Sequence, residues 1–190
     1  AEMDGHYDAL MNDADSIPPG SRGTVFLPWL SGAGPPASDG DMRGGFLNIT
    51  LETDPPQIVR SVMEGIAMNL RWLERRVESL IRKEVSSLNF IGGGARSPVW
   101  CQILADVLGR SICQVADPHY AIVRGAALSA LRSMNLIQLE EIPARVRIER
   151  VFEPDPERKR TYDDLFSEFM RTYRTTRPLF HRWARLRGKA

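Results

Sequence analysis

Cysteine is scarce in this chain: two of 190 residues, Cys101 and Cys113. Two thiols at that separation exclude a disulfide framework and a CxxC metal site, and leave a reducing compartment as the expectation. The three histidines, His6, His119 and His181, fall at no metal-ligand spacing. Net charge is nearly absent, at +1, so nothing global argues for nucleic acid or an acidic substrate. No apolar run reaches the roughly 18 residues of a membrane span. The first residues also lack the basic start and apolar centre of a signal peptide, so a soluble, cytoplasmic protein without membrane or nucleic-acid partners is expected. An initiating Met is missing too, and the abrupt polar start reads as a piece cut from something longer. No fixed-period repeat and no low-complexity tract occurs.

What is present is ordinary globular composition, 43% hydrophobic and 26% charged, enough for one domain with a sizeable core. Charge is uneven along it. Residues 141–190 carry 13 Lys/Arg against 8 Asp/Glu, and residues 1–140 carry 12 against 16. The organisation expected is a polar lead-in over 1–23, an α/β core over 24–140, and a linker with a C-terminal amphipathic helix over 141–190.

Within the core, Asn89-Phe90-Ile91 reads as a short buried strand running into Gly92-Gly93-Gly94-Ala95, with Ser97 and Pro98 opening a helix. Glycines let backbone N–H groups approach a ligand, and a helix N-terminus behind them favours an anion, so a nucleotide phosphate or ribose suits the turn. A tight turn with no guest is the plain alternative. The pattern is neither GxGxxG nor a Walker sequence.

Around this turn, Thr24–Leu27 and Ser111–Val115 read as strands, and Phe46–Ile49 as a further short one. Ser31–Gly45 is so rich in Gly and Pro that a long surface loop is expected. Thr53-Asp54-Pro55-Pro56-Gln57 caps a long helix ending near Lys83. Its buried stripe is expected at Val59, Val62, Ile66, Leu70, Leu73, Val77 and Leu80, and Gly65 and Ala67 suggest a close backbone approach. A helix over Pro98–Leu108 ends at Gly109. Asp117-Pro118 opens another, whose small residues around Gly125 would lie tightly on a sheet. Residues 142–154 read as a linker, and Pro156 to Trp183 as a helix broken or kinked at Pro178. Strands alternating with helices give an α/β class with a parallel component.

No acid, base or nucleophile forms a constellation in the sequence. Cys101 reads as a small buried hydrophobe, Asp39 and Asp41 as turn formers, and Asp106 as solvated or capping. Catalytic and metal residues are therefore not assigned.

Ile91-Gly92-Gly93-Gly94-Ala95-Arg96-Ser97-Pro98-Val99-Trp100 closely resembles the adenosine-binding signature in the C-terminal domain of the FGGY carbohydrate kinases. Phe26-Leu27-Pro28-Trp29-Leu30-Ser31-Gly32 is similar to the "FLPYLSGER" segment of xylulokinases, Glu64-Gly65-Ile66-Ala67 to their "EGxA", and the closing segment with Tyr162-Asp163-Asp164-Leu165 to their C-termini. The resemblance runs from about Gly20 onward. It implies a ribonuclease-H-like domain of the actin, hexokinase and Hsp70 type, with a mixed sheet flanked by helices, forming half of an enzyme that closes around ATP and Mg²⁺. It also implies γ-phosphate transfer to a hydroxyl of a ketopentose or related polyol, bound through an N-terminal domain, with positioning as the main contribution of the protein.

Carried over, Gly93, Gly94 and Ala95 would offer backbone to the adenosine and α-phosphate, Gly92 would complete the turn, and Ser97 would stand beside adenine. Arg43-Gly44 matches the family's "RG". The family's catalytic Asp is expected upstream, and Asp4-Gly5 lacks the preceding glycines. Ala33-Gly34-Pro35-Pro36 departs from the usual Glu-Arg-Thr-Pro. The fragment alone is thus expected to be inactive. A non-catalytic, actin-like nucleotide-binding or interaction module is the alternative, and an apolar former interdomain face leaves room for a homodimer.

Overall fold

Residues 2–187 are described by a computed structural model, with side chains from Ala9 to Leu186. The readings attached to Asp4-Gly5 and His6 lie outside those side chains. Ten regular elements follow one another: α1 (Glu2–Asp15), β1 (Val25–Leu27), β2 (Gly45–Leu47), α2 (Pro55–Ile81), β3 (Ser87–Phe90), α3 (Pro98–Leu108), β4 (Ser111–Val115), α4 (Ala121–Ser133), β5 (Ile148–Phe152) and α5 (Lys159–Arg187).

The long helix α2 begins where its cap residues place it. Asp54 Oδ1 accepts from the Gln57 amide at 2.9 Å, and Pro55 and Pro56 occupy positions whose N–H groups would be unpaired anyway. It ends at Arg82, which is left-handed at φ 53°. The face it buries is not the expected one. Its interior side carries Gln57, Arg60, Ser61, Met63, Glu64, Ala67, Met68 and Arg71. Of the expected stripe, Ile66, Leu70, Val77 and Leu80 are exposed and Val59, Val62 and Leu73 are half-buried. Apolar periodicity fails here because the charged residues facing inward find partners on other elements, which removes the cost that normally turns them outward.

Those partners sit mostly at the start of α5. Tyr162 Oη donates to Glu64 Oε1 at 2.9 Å, and Arg60 Nη2 donates to Tyr162 Oη at 3.1 Å. Ser21 Oγ and the Gly20 amide complete the Glu64 carboxylate at 2.7 and 3.0 Å. Burial, and then the Glu64 charge, push the Tyr162 phenol well above its ordinary range. Arg71 reaches the Tyr162 carbonyl and pairs with Asp163. Around this polar seam the aliphatic and aromatic core closes, with Trp29, Met63, Met68, Ile103, Leu104, Val107, Phe166 and Phe169 packed together.

The three-stranded sheet runs β3-β4-β5, with β3 parallel to β4 and β5 antiparallel. It is mixed, as expected, but β5 falls inside the stretch read as a linker. Only Phe152 of Ile148–Phe152 is buried, so this edge strand lacks the two-residue alternation that would have announced it. β3, expected to be buried, is an edge strand too and is half exposed. A separate pair joins β1 to β2 antiparallel. Gly65 of α2 lies under β1, where an added Cβ would stand 2.2 Å from the Phe26 carbonyl oxygen, so the expected close approach is present.

Three further expectations are corrected. The Ser31–Gly45 loop is anchored inward, with Ala33 and Met42 buried and Asp39 bonded through its backbone to Ala33. α5 is not broken at Pro178, which lies on its exposed side, and the helix runs on to Arg187. α4 buries no residue, and nothing lies within 4 Å of a Cβ at Gly125, because the described residues supply no layer against that helix.

Candidate nucleotide-binding turn

The connection from β3 to α3 is short and sharply bent. Gly92 sits at φ 90°, a conformation that side chains disfavour, and Gly93–Arg96 form a single 3₁₀ turn. Ser97 then caps α3, its Oγ accepting from the Trp100 amide at 3.2 Å, while Pro98 takes the first helical position. The Cys101 amide donates to the Ser97 carbonyl at 3.0 Å. The glycine turn is thus held in front of a helix N-terminus, as the spacing predicts.

The five residues singled out from sequence have different situations. Gly92 and Gly93 border open space, since nothing lies within 4 Å of a Cβ placed on either. Among the described residues the Gly93 and Gly94 amides make no backbone hydrogen bond. Gly94 is glycine for an internal reason, because a Cβ there would meet the Trp100 ring at 2.8 Å. Ala95 is fully buried, and its carbonyl accepts from Gln114 Nε2 at 2.6 Å, which ties the turn to β4. Ser97 is buried and committed to its cap. Two unpaired N–H groups beside an unobstructed surface, with a helix N-terminus behind them, form an arrangement suited to phosphate or ribose oxygens.

A second segment borders the turn, and sequence reasoning missed it. The Gly92 amide donates to the Pro118 carbonyl at 2.8 Å, bringing the Pro118–Tyr120 turn alongside. There the His119 and Tyr120 rings pack at 3.9 Å between centroids, tilted by 46°, with Tyr120 58% exposed. Asp117, left-handed at φ 48°, directs the chain into this turn, and Arg124 Nη2 holds it through the Ala116 carbonyl at 2.8 Å. The signal was the Asp117-Pro118 pair, which marked a helix start without locating it beside Gly92.

The remaining candidates are structural. Cys101 is fully buried, and burial pushes its thiol up to about 11, so it stays a neutral apolar group. Asp106, expected to be solvated or capping, is not solvated but buried. It accepts from Arg158 Nη1, Gln102 Nε2 and the Asp155 amide at 2.8–2.9 Å, fastening the approach to α5 onto α3. Asp39 does form a turn, its Oδ1 accepting from the Asp41 amide at 3.2 Å. It also pairs with Arg177 Nε at 2.7 Å and His181 Nε2 at 2.8 Å. Burial alone would raise the Asp39 carboxyl, but those two hydrogen bonds outweigh it and hold the group below its usual range. Among the described residues no group of three or more His, Cys, Asp or Glu side chains could hold a metal ion.

A glycine turn ahead of a capped helix in a mixed α/β domain is the fold of the actin- and hexokinase-like ATPases, which the sugar kinases similar to this chain share. The family model for the C-terminal domain of the FGGY carbohydrate kinases matches residues 2–134, and the chain belongs to that family. It is 29% identical to xylulose kinase from Staphylococcus epidermidis over 175 residues, which is 91% of this chain and 35% of that protein. Ligand-bound xylulose kinase from Lactobacillus acidophilus superposes with a TM-score of 0.78 at 27% identity, covering 92% of this chain and 35% of that one. Gluconate kinase from the same organism gives 0.77 at 26% identity, with the same coverages. The chain therefore spans about a third of the length of the relatives it matches. No helix among the described residues is long and apolar enough to cross a membrane.

Proposed function

We propose that this chain is the ATP-binding part of a cytoplasmic sugar kinase, and that Gly92, Gly93 and Gly94 present their backbone to the nucleotide. The carrying observation is the open edge of the turn, where among the described residues the Gly93 and Gly94 amides are unpaired and Gly92 and Gly93 leave space in front of them. Ala95 and Ser97 act one step back, by fixing the turn against β4 and α3. ATP supplies the transferable γ-phosphoryl group. What these residues contribute is orientation of the nucleotide, through N–H donors that need no rearrangement on binding. Mg²⁺ would enter on the nucleotide phosphates, because the described side chains offer no carboxylate cluster for it.

The acceptor is a hydroxyl of a ketopentose or related sugar or polyol. Xylulose kinases and gluconate kinase stand side by side among the similar proteins, which supports the sugar class. Nothing in the reading calls for a nucleic-acid or membrane partner. Isolated, the 190 residues bind nucleotide and transfer no phosphate.

Titration with ATP and Mg²⁺ tests this, with Gly93→Asp as control. A carboxylate placed beside phosphate should weaken binding tenfold or more, on the order of 1.4 kcal/mol. Because Gly93 has free space around it, the variant keeps its fold. Equal affinity would move the site elsewhere, and sugar-dependent ADP release by the isolated chain would overturn the expected inactivity.

A further inference from the structure

Between α2 and α5, away from the glycine turn, lies a cleft of about 470 Å³ whose walls include Trp72, Arg75, Arg76, Met170, Tyr173 and Arg174. Its residues share nothing with Gly92–Ser97 or Pro118–Tyr120. Three arginines line it and no Asp or Glu does. We propose that this cleft binds a phosphate monoester carried on a ring or apolar group, with Arg75, Arg76 and Arg174 taking the phosphate and Trp72 and Tyr173 taking the ring.

The three guanidiniums form no ion pair among the described residues, although carboxylates stand on neighbouring turns. Those carboxylates are committed elsewhere. Asp163 pairs with Arg71 and Lys159, Glu74 and Glu78 pair with Arg110, and Glu168 pairs with Arg171. Arg75 is further constrained, because its guanidinium lies 4.4 Å from the centroid of Phe166, whose ring Arg71 also approaches at 4.8 Å. Burial, and then the Arg71 charge, pull the Arg75 guanidinium below its ordinary range, and the charges of Asp163, Glu74 and Glu78 offset only part of this. A dianion would supply the paired counter-charge these guanidiniums lack among the described residues and match their geometry with paired hydrogen bonds.

The aromatic half of the site is equally built. Trp72 and Tyr173 pack at 4.8 Å between centroids, and Tyr173 packs in turn on the buried Trp29 at 5.3 Å, so the aromatic wall is anchored in the core. Guanidiniums alone would attract any polyanion. Their placement against a fixed aromatic wall, in a volume suited to a small ligand, selects a phosphorylated small molecule.

The chain's four tryptophans give four indole N–H signals by nitrogen–proton NMR, and Trp72→Phe assigns the one in question. Phenyl phosphate should move the Trp72 signal saturably. Benzyl alcohol, which has the ring without the charge, should bind at least about tenfold more weakly, as should the variant R75Q/R76Q/R174Q. Arg76→Gln alone provides the same comparison should the triple variant not fold, since among the described residues Arg76 makes no ion pair and no cation–π contact. An unmoved Trp72, equal affinity for benzyl alcohol, or undiminished binding by the arginine variants would overturn the site. Movement of Trp100, which lies against Gly94, in place of Trp72 would assign the phosphate to the glycine turn, and would overturn this cleft while leaving the nucleotide reading intact.

Discussion

Glu64 and Tyr162, 98 residues apart in sequence, share a buried hydrogen bond of 2.9 Å that joins the middle of the chain to its last helix. Arg60 holds both partners, and Ser21 and Gly20 complete the carboxylate. Tyr162→Phe removes the hydroxyl that links them and leaves the Arg60–Glu64 pair in place, so a loss of about 1–3 kcal/mol is expected. Glu64→Ala strands the Arg60 charge in the interior and should cost about 3–5 kcal/mol. Urea unfolding of the two variants checks the ranking, and unfolding midpoints equal to wild type would refute the account.

The Asp39 contacts carry a pH dependence. Its carboxyl is depressed in the folded chain, so its contribution is complete above the ordinary value of 3.8 and is lost as pH falls below it. Asp163, lowered by Arg71 and then by Lys159, acts in the same direction. Thermal stability of wild type should therefore fall below about pH 4, and Asp39→Asn should flatten that fall while lowering stability at pH 7. Parallel pH profiles for the two proteins would remove Asp39 from the explanation.

Exposure separates the two faces of α2. Val77→Ser and Leu80→Ser, on the side that periodicity marks as interior, should change stability by no more than about 0.5 kcal/mol. Ala67→Leu, at a fully buried position, should cost about 1–3 kcal/mol through overpacking. The reverse order of costs would restore the apolar stripe as the buried face.

Gly65 tests a backbone contact directly. An alanine there brings Cβ to 2.2 Å from the Phe26 carbonyl oxygen, and that oxygen belongs to a strand that cannot yield without disturbing β1. Gly65→Ala should cost several kcal/mol or abolish folding, whereas Gly125→Ala, where nothing beyond the helix's own backbone lies within 4 Å of the added Cβ, should be neutral or slightly stabilising. Circular dichroism melting curves of the pair decide the matter.

Where local chemistry governs, the sequence was readable. Asp54 and Ser97 as caps, Gly109 as a helix end at φ 67° and Gly65 as a contact glycine all stand where residue type placed them. The glycine turn was readable for the same reason, since its form depends on neighbours in the chain. What stayed hidden depends on partners far away in sequence. Arg60 and Glu64 point inward because Tyr162 meets them, and β5 joins the sheet as an exposed edge without an apolar pattern. Tyr120 stands beside the turn because the segment that carries it is brought there by contacts such as that of Gly92 with Pro118.

The polar seam also sets an order in time. Arg60 and Glu64 are synthesised long before Tyr162, and until that tyrosine arrives the inward face of α2 holds charges whose surroundings are incomplete. Local helices can form as the chain emerges, but the interior cannot close before the start of α5 has been made. A ribosome stalled ahead of residue 162 would therefore carry an open chain, vulnerable to proteases, and one stalled well beyond it a chain able to shut.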